Sequence, residues 1–262
     1  MADKTDNKDG RVIIDVAIPA GWRELTQKQL MLVFELIGSG VSKESLMTHC
    51  FLKWSGVRVL TRDKASGDYM LSFKKHIFGI SAIEMAEWMK PLEWLTEIPD
   101  YPVHIAKIGS HKAVAADFHE VIFDKYIDAI YLWNTFVTYE NDAVFPLLVE
   151  VLYGFKPRKL KPWLKSCIIY WMYSLNRYLA AEYPHLFGGA KKNADGTGTL
   201  GGGAPAPIEE SVNAMLRALT KGDVLKEKDV LKVDTHRALT ELEALGREFD
   251  ELKAQMKKNG KV

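Results

Sequence analysis

His111, Asp117 and His119 lie in one short segment, and an Asp-x-His pair on an extended strand can offer a carboxylate and an imidazole to one cation. A zinc site needs a third protein ligand, and none of the seven histidines supplies one at H-x-x-x-H or H-E-x-x-H spacing. The segment reads as a solvent-exposed edge, and the sequence predicts no metal site and no cofactor. A second stretch dense in reactive residue types is 219–245, LTKGDVLKEKDVLKVDTHRALTELEAL. Its histidine, His236, is its one side chain that ordinarily titrates near neutrality. The stretch lacks the G-x-x-x-x-G-K-[ST] of a phosphate loop, and its aspartates lack the central Gly and terminal Glu of a calcium loop. With no second histidine at helical spacing, His236 reads as a lone surface residue.

The other chemistries fail on context. There is no G-x-S-x-G. Cys50 follows His49 directly in a predicted helix, where adjacent side chains point apart. Gly-Ser-Gly at 38–40 follows a helix, whereas a dinucleotide loop follows a strand. Two isolated cysteines, Cys50 and Cys167, build neither a disulfide framework nor a zinc cluster, and read as small core residues in a reducing compartment. One basic run remains, KPRKLKPWLK. Its Lys156, Arg158, Lys159, Lys161 and Lys165 form a candidate anion-binding patch, although a solvated loop entering a buried helix explains them better. No catalytic residue emerges, and the sequence predicts a protein that is not an enzyme.

Bulk properties narrow the partners. The chain carries 35 basic and 34 acidic residues, a net charge of +1, where a generic nucleic-acid binder shows a basic excess. MADKTDNKDG has no apolar core of a secretion signal, and the run SCIIYWMYSL is about half the length of a bilayer span. The expectation is a soluble protein of the host-cell cytoplasm that avoids membranes.

The elements that would position these residues read as α+β, predominantly helical. Residues 1–10 are polar and predicted disordered. An α+β globular domain over 11–187 opens with a strand, RVIIDVAIP, followed by two helices that a short Gly-Ser-Gly loop should fold into an antiparallel hairpin. One β-hairpin is expected around DKASGD and a second around Gly109–Ser110. Ser81 and Glu84 spell a capping box. Three helices follow: FDKYIDAIYLWNTFVTY with Tyr126, Ile130, Trp133 and Val137 on one stripe; one capped by Asp142 and stopped by Gly154; and a long one after Pro162, apolar over most of its circumference. A Gly/Pro-rich linker over 188–207 leads to a separate helical hairpin module, 208–262. Its second helix should run unbroken from about residue 225. Leu231, Ala238, Leu242, Leu245, Phe249 and Leu252 share a narrow seam on it, with most charges outside the seam. This is the predicted partner-binding face, with packing against the preceding helix as the competing use.

The segments ELTQKQLMLVFELIGSG, FLKWSGVRVL, PLEWLTEIPDYPVHIAKIG, YPHLF and NAMLRALTKGDVLKEKDVLKVDTHRALTELEALGREFDEL resemble a group of prophage and mobile-element proteins of gut anaerobes. The resemblance implies a place in the tail-morphogenesis block of tailed phages and a layout similar to tail assembly chaperones. What it implies about function is a non-enzymatic assembly protein that binds a long helical partner such as a tape-measure protein, or itself. The alternatives are a structural virion component, in the tail or connector, and a nucleic-acid-binding regulator working through the basic run.

Overall fold

The computed structural model describes residues 16–187 and 208–259. In chain order the elements are α1 (Gln27–Gly38), α2 (Lys43–Ser55), β1 (Arg58–Arg62), β2 (Tyr69–Phe73), β3 (His76–Ile80), α3 (Ala82–Met89), β4 (Lys107–Ile108), β5 (His111–Lys112), α4 (Phe123–Tyr139), α5 (Phe145–Tyr153), α6 (Pro162–Glu182), α7 (Pro184–Phe187), α8 (Ile208–Thr220), α9 (Glu227–Val230) and α10 (Thr235–Asn259). The fold is α+β and predominantly helical, as expected. Two compact units divide it: unit 1 takes residues up to Thr26 and Gly40–Glu97, and unit 2 takes Gln27–Ser39 and everything from Ile98 onward.

Unit 1 is a small helix-and-sheet assembly. Ser42 caps α2 by accepting the Ser45 N–H, and Gly56 closes it in the left-handed region at φ 75°. The Ser81–Glu84 capping box opens α3. The expected hairpin around DKASGD grows into a three-stranded antiparallel meander, β1-β2-β3, because the chain turns again at Lys74 with φ 52°. Leu71 and Ile80 are buried, whereas every residue of β1 is exposed. Trp22 stands edge-on to Trp94 at 5.6 Å and donates its indole N–H to the carbonyls of Trp94 and Glu97.

Unit 2 holds the larger core, with α6 at its centre. Leu164, Cys167, Ile168, Trp171, Met172, Leu175 and Leu179 are all buried and share one broad face of the helix, while Trp163, Ile169, Tyr173 and Tyr178 around it are half-buried. Tyr126, Ile130 and Trp133 of α4 are buried with them, while Val137 at the end of that stripe is exposed. The helix before Gly154 has no side-chain cap of its own, and Asn141, not Asp142, caps the single 3-10 turn Asp142–Val144 that leads into it. The Asn141 side chain accepts the Ala143 N–H, while Asp142 turns to pair with Lys165 at 2.6 Å. The hairpin around Gly109–Ser110 is present as β4 and β5.

Four expectations are corrected. The strand over 11–19 lies partly outside the described residues, and Val16–Pro19 form no strand. The α1–α2 hairpin does not form: α1 belongs to unit 2 and packs along α6. Gly38, which does end α1, is also the reason it can. A Cβ there would sit 2.6 Å from the Trp163 backbone nitrogen, so only glycine permits this approach to the start of α6. Residues 208–259 are not a separate module, because Met215, Ala238, Leu239 and Leu242 enter the unit 2 core. The last helix is also not continuous from residue 225. The chain leaves helical geometry at 231–234, where Ile122 and Asp234 form an antiparallel bridge and Asp234 recaps α10 by accepting the Arg237 N–H at 3.1 Å. The predicted disordered start and the whole linker lie outside the described residues.

The close approach at Gly38 generates a stability test. Gly38→Ala forces the two backbones apart, and should lower the free energy of unfolding by about 1–3 kcal/mol. A lower urea midpoint at unchanged slope would register it.

Candidate functional site

The loop before α4 is pinned at several points. Phe118 is fully buried, edge-on to Tyr126 at 5.8 Å, and the Ala116 carbonyl accepts the Trp171 indole N–H at 2.6 Å. Phe118 and Glu120, on either side of His119, both adopt left-handed φ, 66° and 57°. Non-glycine residues pay for that conformation and hold it only where surrounding packing dictates it. The Asp117 carboxylate accepts the His119 backbone N–H at 3.1 Å and the Tyr101 hydroxyl at 3.4 Å.

The first turn of α10 arrives from the other side. Thr235 is fully buried and donates both its N–H, at 2.8 Å, and its hydroxyl, at 2.7 Å, to the Val121 carbonyl. Phe123 and Asp124 donate their N–H groups to the carbonyls of Val233 and Leu231, at 2.8 and 3.0 Å. These two amides head α4 and have no acceptor within their own helix, so the 231–235 segment satisfies them. His236 follows directly. Its Nε2 lies 2.7 Å from the Asp117 carbonyl oxygen and its Nδ1 lies 2.7 Å from the Tyr183 hydroxyl. A carbonyl can only accept, so Nε2 carries the proton, and in the neutral ring Nδ1 accepts from Tyr183.

The result is a cluster that sequence spacing did not show. Donor atoms of Asp117, His119 and His236 all lie within 4.8 Å of one another, and the two imidazole centroids are 5.0 Å apart. His236 is the missing third partner of the Asp117-x-His119 pair, and it is a half-buried, doubly hydrogen-bonded residue, not a lone surface histidine. His111 is not part of the cluster; its ring packs against Phe155 at 4.3 Å. His119 also lines a cleft of about 570 Å³ with His104, Lys112, Glu120 and Lys125. Burial pushes His104 down to about 4, against the opposing pull of a Val114 backbone hydrogen bond and the Asp117 charge. Its ring lies 4.6 Å from that of Trp171.

The predicted partner face divides into an inner and an outer part. Leu231 is half-buried in the turn before α10, and Ala238 and Leu242 belong to the core, beside the fully buried Leu239 that the seam omitted. Further along, Glu243 accepts the N–H groups of His185 and Leu186, and His185 meets Asp250 at 3.1 Å, holding α7 on this helix. Gly246 makes room for the His185 carbonyl, which would be 3.2 Å from an added Cβ. Beyond these contacts the apolar stripe continues uncovered: Leu245 is 37% exposed, Leu252 55%, Phe249 65% and Met256 73%.

In the basic run Lys156, Arg158, Lys159 and Lys161 are exposed, but Lys165 is engaged by Asp142 and sits over the Phe145 ring. Both cysteines are buried, and burial pushes each thiol up to about 12, which suits neither a nucleophile nor a metal ligand. No described helix is long and apolar enough to cross a membrane. No family model, curated protein or solved structure matches the chain.

His104 sets a pH dependence. The unfolded chain takes up its proton near 6.5, while the folded protein resists until about 4, so protonation favours the unfolded chain across that window. Stability should fall as the pH drops from 6.5 towards 4, and His104→Gln should flatten part of that slope. Urea unfolding at intervals across the window checks it.

Proposed function

We propose that this chain is a non-enzymatic, phage-derived assembly protein of the tail assembly chaperone kind, binding a long helical partner through the outer half of α10. The observation that carries the reading is the uncovered stripe of Leu245, Phe249, Leu252 and Met256. The first half of the same helix is committed to the core, so the seam is anchored at one end and presented at the other. An anchored amphipathic helix loses little conformational freedom on docking, which favours helix-on-helix recognition. Such a stripe matches the apolar face of a tape-measure-like helix, which needs cover until it is enclosed. The acidic and basic residues around the stripe, Glu248, Asp250, Glu251 and Lys253, keep its rim wet and set register rather than affinity. The resemblance of the sequence to tail-block proteins supplies the biological setting.

The test is coexpression with the tape-measure protein of the same gene block. The wild-type chain should copurify with it and keep it soluble. Phe249→Asp with Leu252→Asp should abolish copurification while leaving the melting temperature within about 2 °C, since both side chains are exposed. Unchanged binding by the double variant would sink the reading.

A further inference from the structure

We propose that Asp117, His119 and His236 form a binding site for a divalent transition-metal ion of the zinc class, with exposed His119 as the ligand that closes it. The inference is independent of the partner-binding reading. Two imidazoles and a carboxylate are a donor set for zinc and its neighbours, whereas magnesium and calcium favour all-oxygen shells. A tetrahedral zinc ion with bonds of about 2.0–2.1 Å holds its donors roughly 3.3 Å apart. The three donors here lie within 4.8 Å of one another, and closing them on an ion takes a rotation of the exposed His119 side chain together with a shift of His236 Nε2 off the Asp117 backbone carbonyl. With three protein ligands the fourth position is left for water or a small anion, and His119 borders the cleft that Lys112 and Lys125 also line.

The surroundings already have the form of an outer shell. Metal-bound histidines ordinarily donate their other ring N–H to a fixed acceptor. In His236, Nδ1 faces the Tyr183 hydroxyl, which can serve as that acceptor, while Nε2 is held by the Asp117 backbone carbonyl. When a metal takes Nε2, the hydrogen bond from Nε2 to the Asp117 backbone carbonyl breaks, the ring proton moves to Nδ1 and the Tyr183 hydroxyl turns from donor to acceptor, so no proton is gained or lost. Asp117 is steadied in the same way by Tyr101. The left-handed residues on both sides of His119 fix the loop that carries it. Such strain is characteristic of positions where geometry serves a ligand. The buried thiols of Cys50 and Cys167 play no part in the site.

The experiment uses the full-length chain without a polyhistidine tag, stripped with chelator and titrated with zinc chloride by calorimetry. Cobalt(II) absorption reports coordination geometry, and magnesium chloride serves as the control cation. The expected result is one zinc per chain, a tetrahedral cobalt spectrum and no magnesium uptake. Tyr183→Phe should weaken zinc binding about tenfold and His119→Ala by more. Because His119 is exposed, His119→Ala should melt like wild type in the absence of metal. His111→Ala should bind as wild type does. The proposal is overturned if the stripped protein takes up no zinc, if His119→Ala binds as tightly as wild type, or if His111→Ala removes the site. In any of these cases His236 acts solely as a hydrogen-bonded bridge between Tyr183 and Asp117.

Discussion

Four hydrogen bonds between 121–124 and 231–235 organise the C-terminal third of the chain. Two of them satisfy amides at the head of α4 that their own helix leaves unpaired. The other two run from Thr235 to the Val121 carbonyl, inside the protein, where a missing partner costs about 1–3 kcal/mol per group. The chain therefore cannot stay helical through 231–234, and α10 must begin at Thr235. That start fixes the rotation of α10. It sends Ala238, Leu239 and Leu242 into the core, turns His236 towards Asp117 and leaves Phe249 and Leu252 outside.

Both candidate sites follow from this one junction. The metal-type cluster exists because the first turn of α10 is pressed against the loop before α4. The apolar stripe exists because a helix fixed at its start continues past the helices that cover it. Buried polar pairing specifies the position, and apolar packing around Leu239 and Trp171 stabilises it. Neither site draws on the basic run, whose last lysine, Lys165, is held in an ion pair with Asp142.

Much of this fold was legible in the sequence where the signal was local. Ser81 with Glu84, Pro162 before an apolar run, Gly154 after one, and the turn at Gly109–Ser110 all mark elements that are present. Long-range pairing was not legible. Asp234-Thr235 is a good helix-start signal, but the apolar seam runs through it and masks the break that Val121 and Phe123 impose. A stretch that alternates charge with leucine looks like one surface helix until its backbone partners are known. The metal-type cluster was half visible, as Asp117-x-His119. Its third member lies far along the chain and is joined to the pair by tertiary structure alone. Gly38 ends its helix as read, but its second role was not visible, since a glycine that ends a helix and one that also admits another backbone look identical in sequence.

The Gly40–Glu97 segment of unit 1 separates α1 from the rest of unit 2 along the chain, and this has a cost in time. During synthesis α1 emerges early with Leu30, Val33 and Phe34 on one side, while its packing partner α6 is completed roughly 140 residues later. At ordinary elongation rates of about 5–20 residues per second, the wait is on the order of ten seconds or more. Through that interval α1 carries an apolar stripe whose mate has not been made. A nascent chain of this design is most vulnerable to aggregation before α6 is made, so slowing translation between the two helices would lower the yield of folded protein.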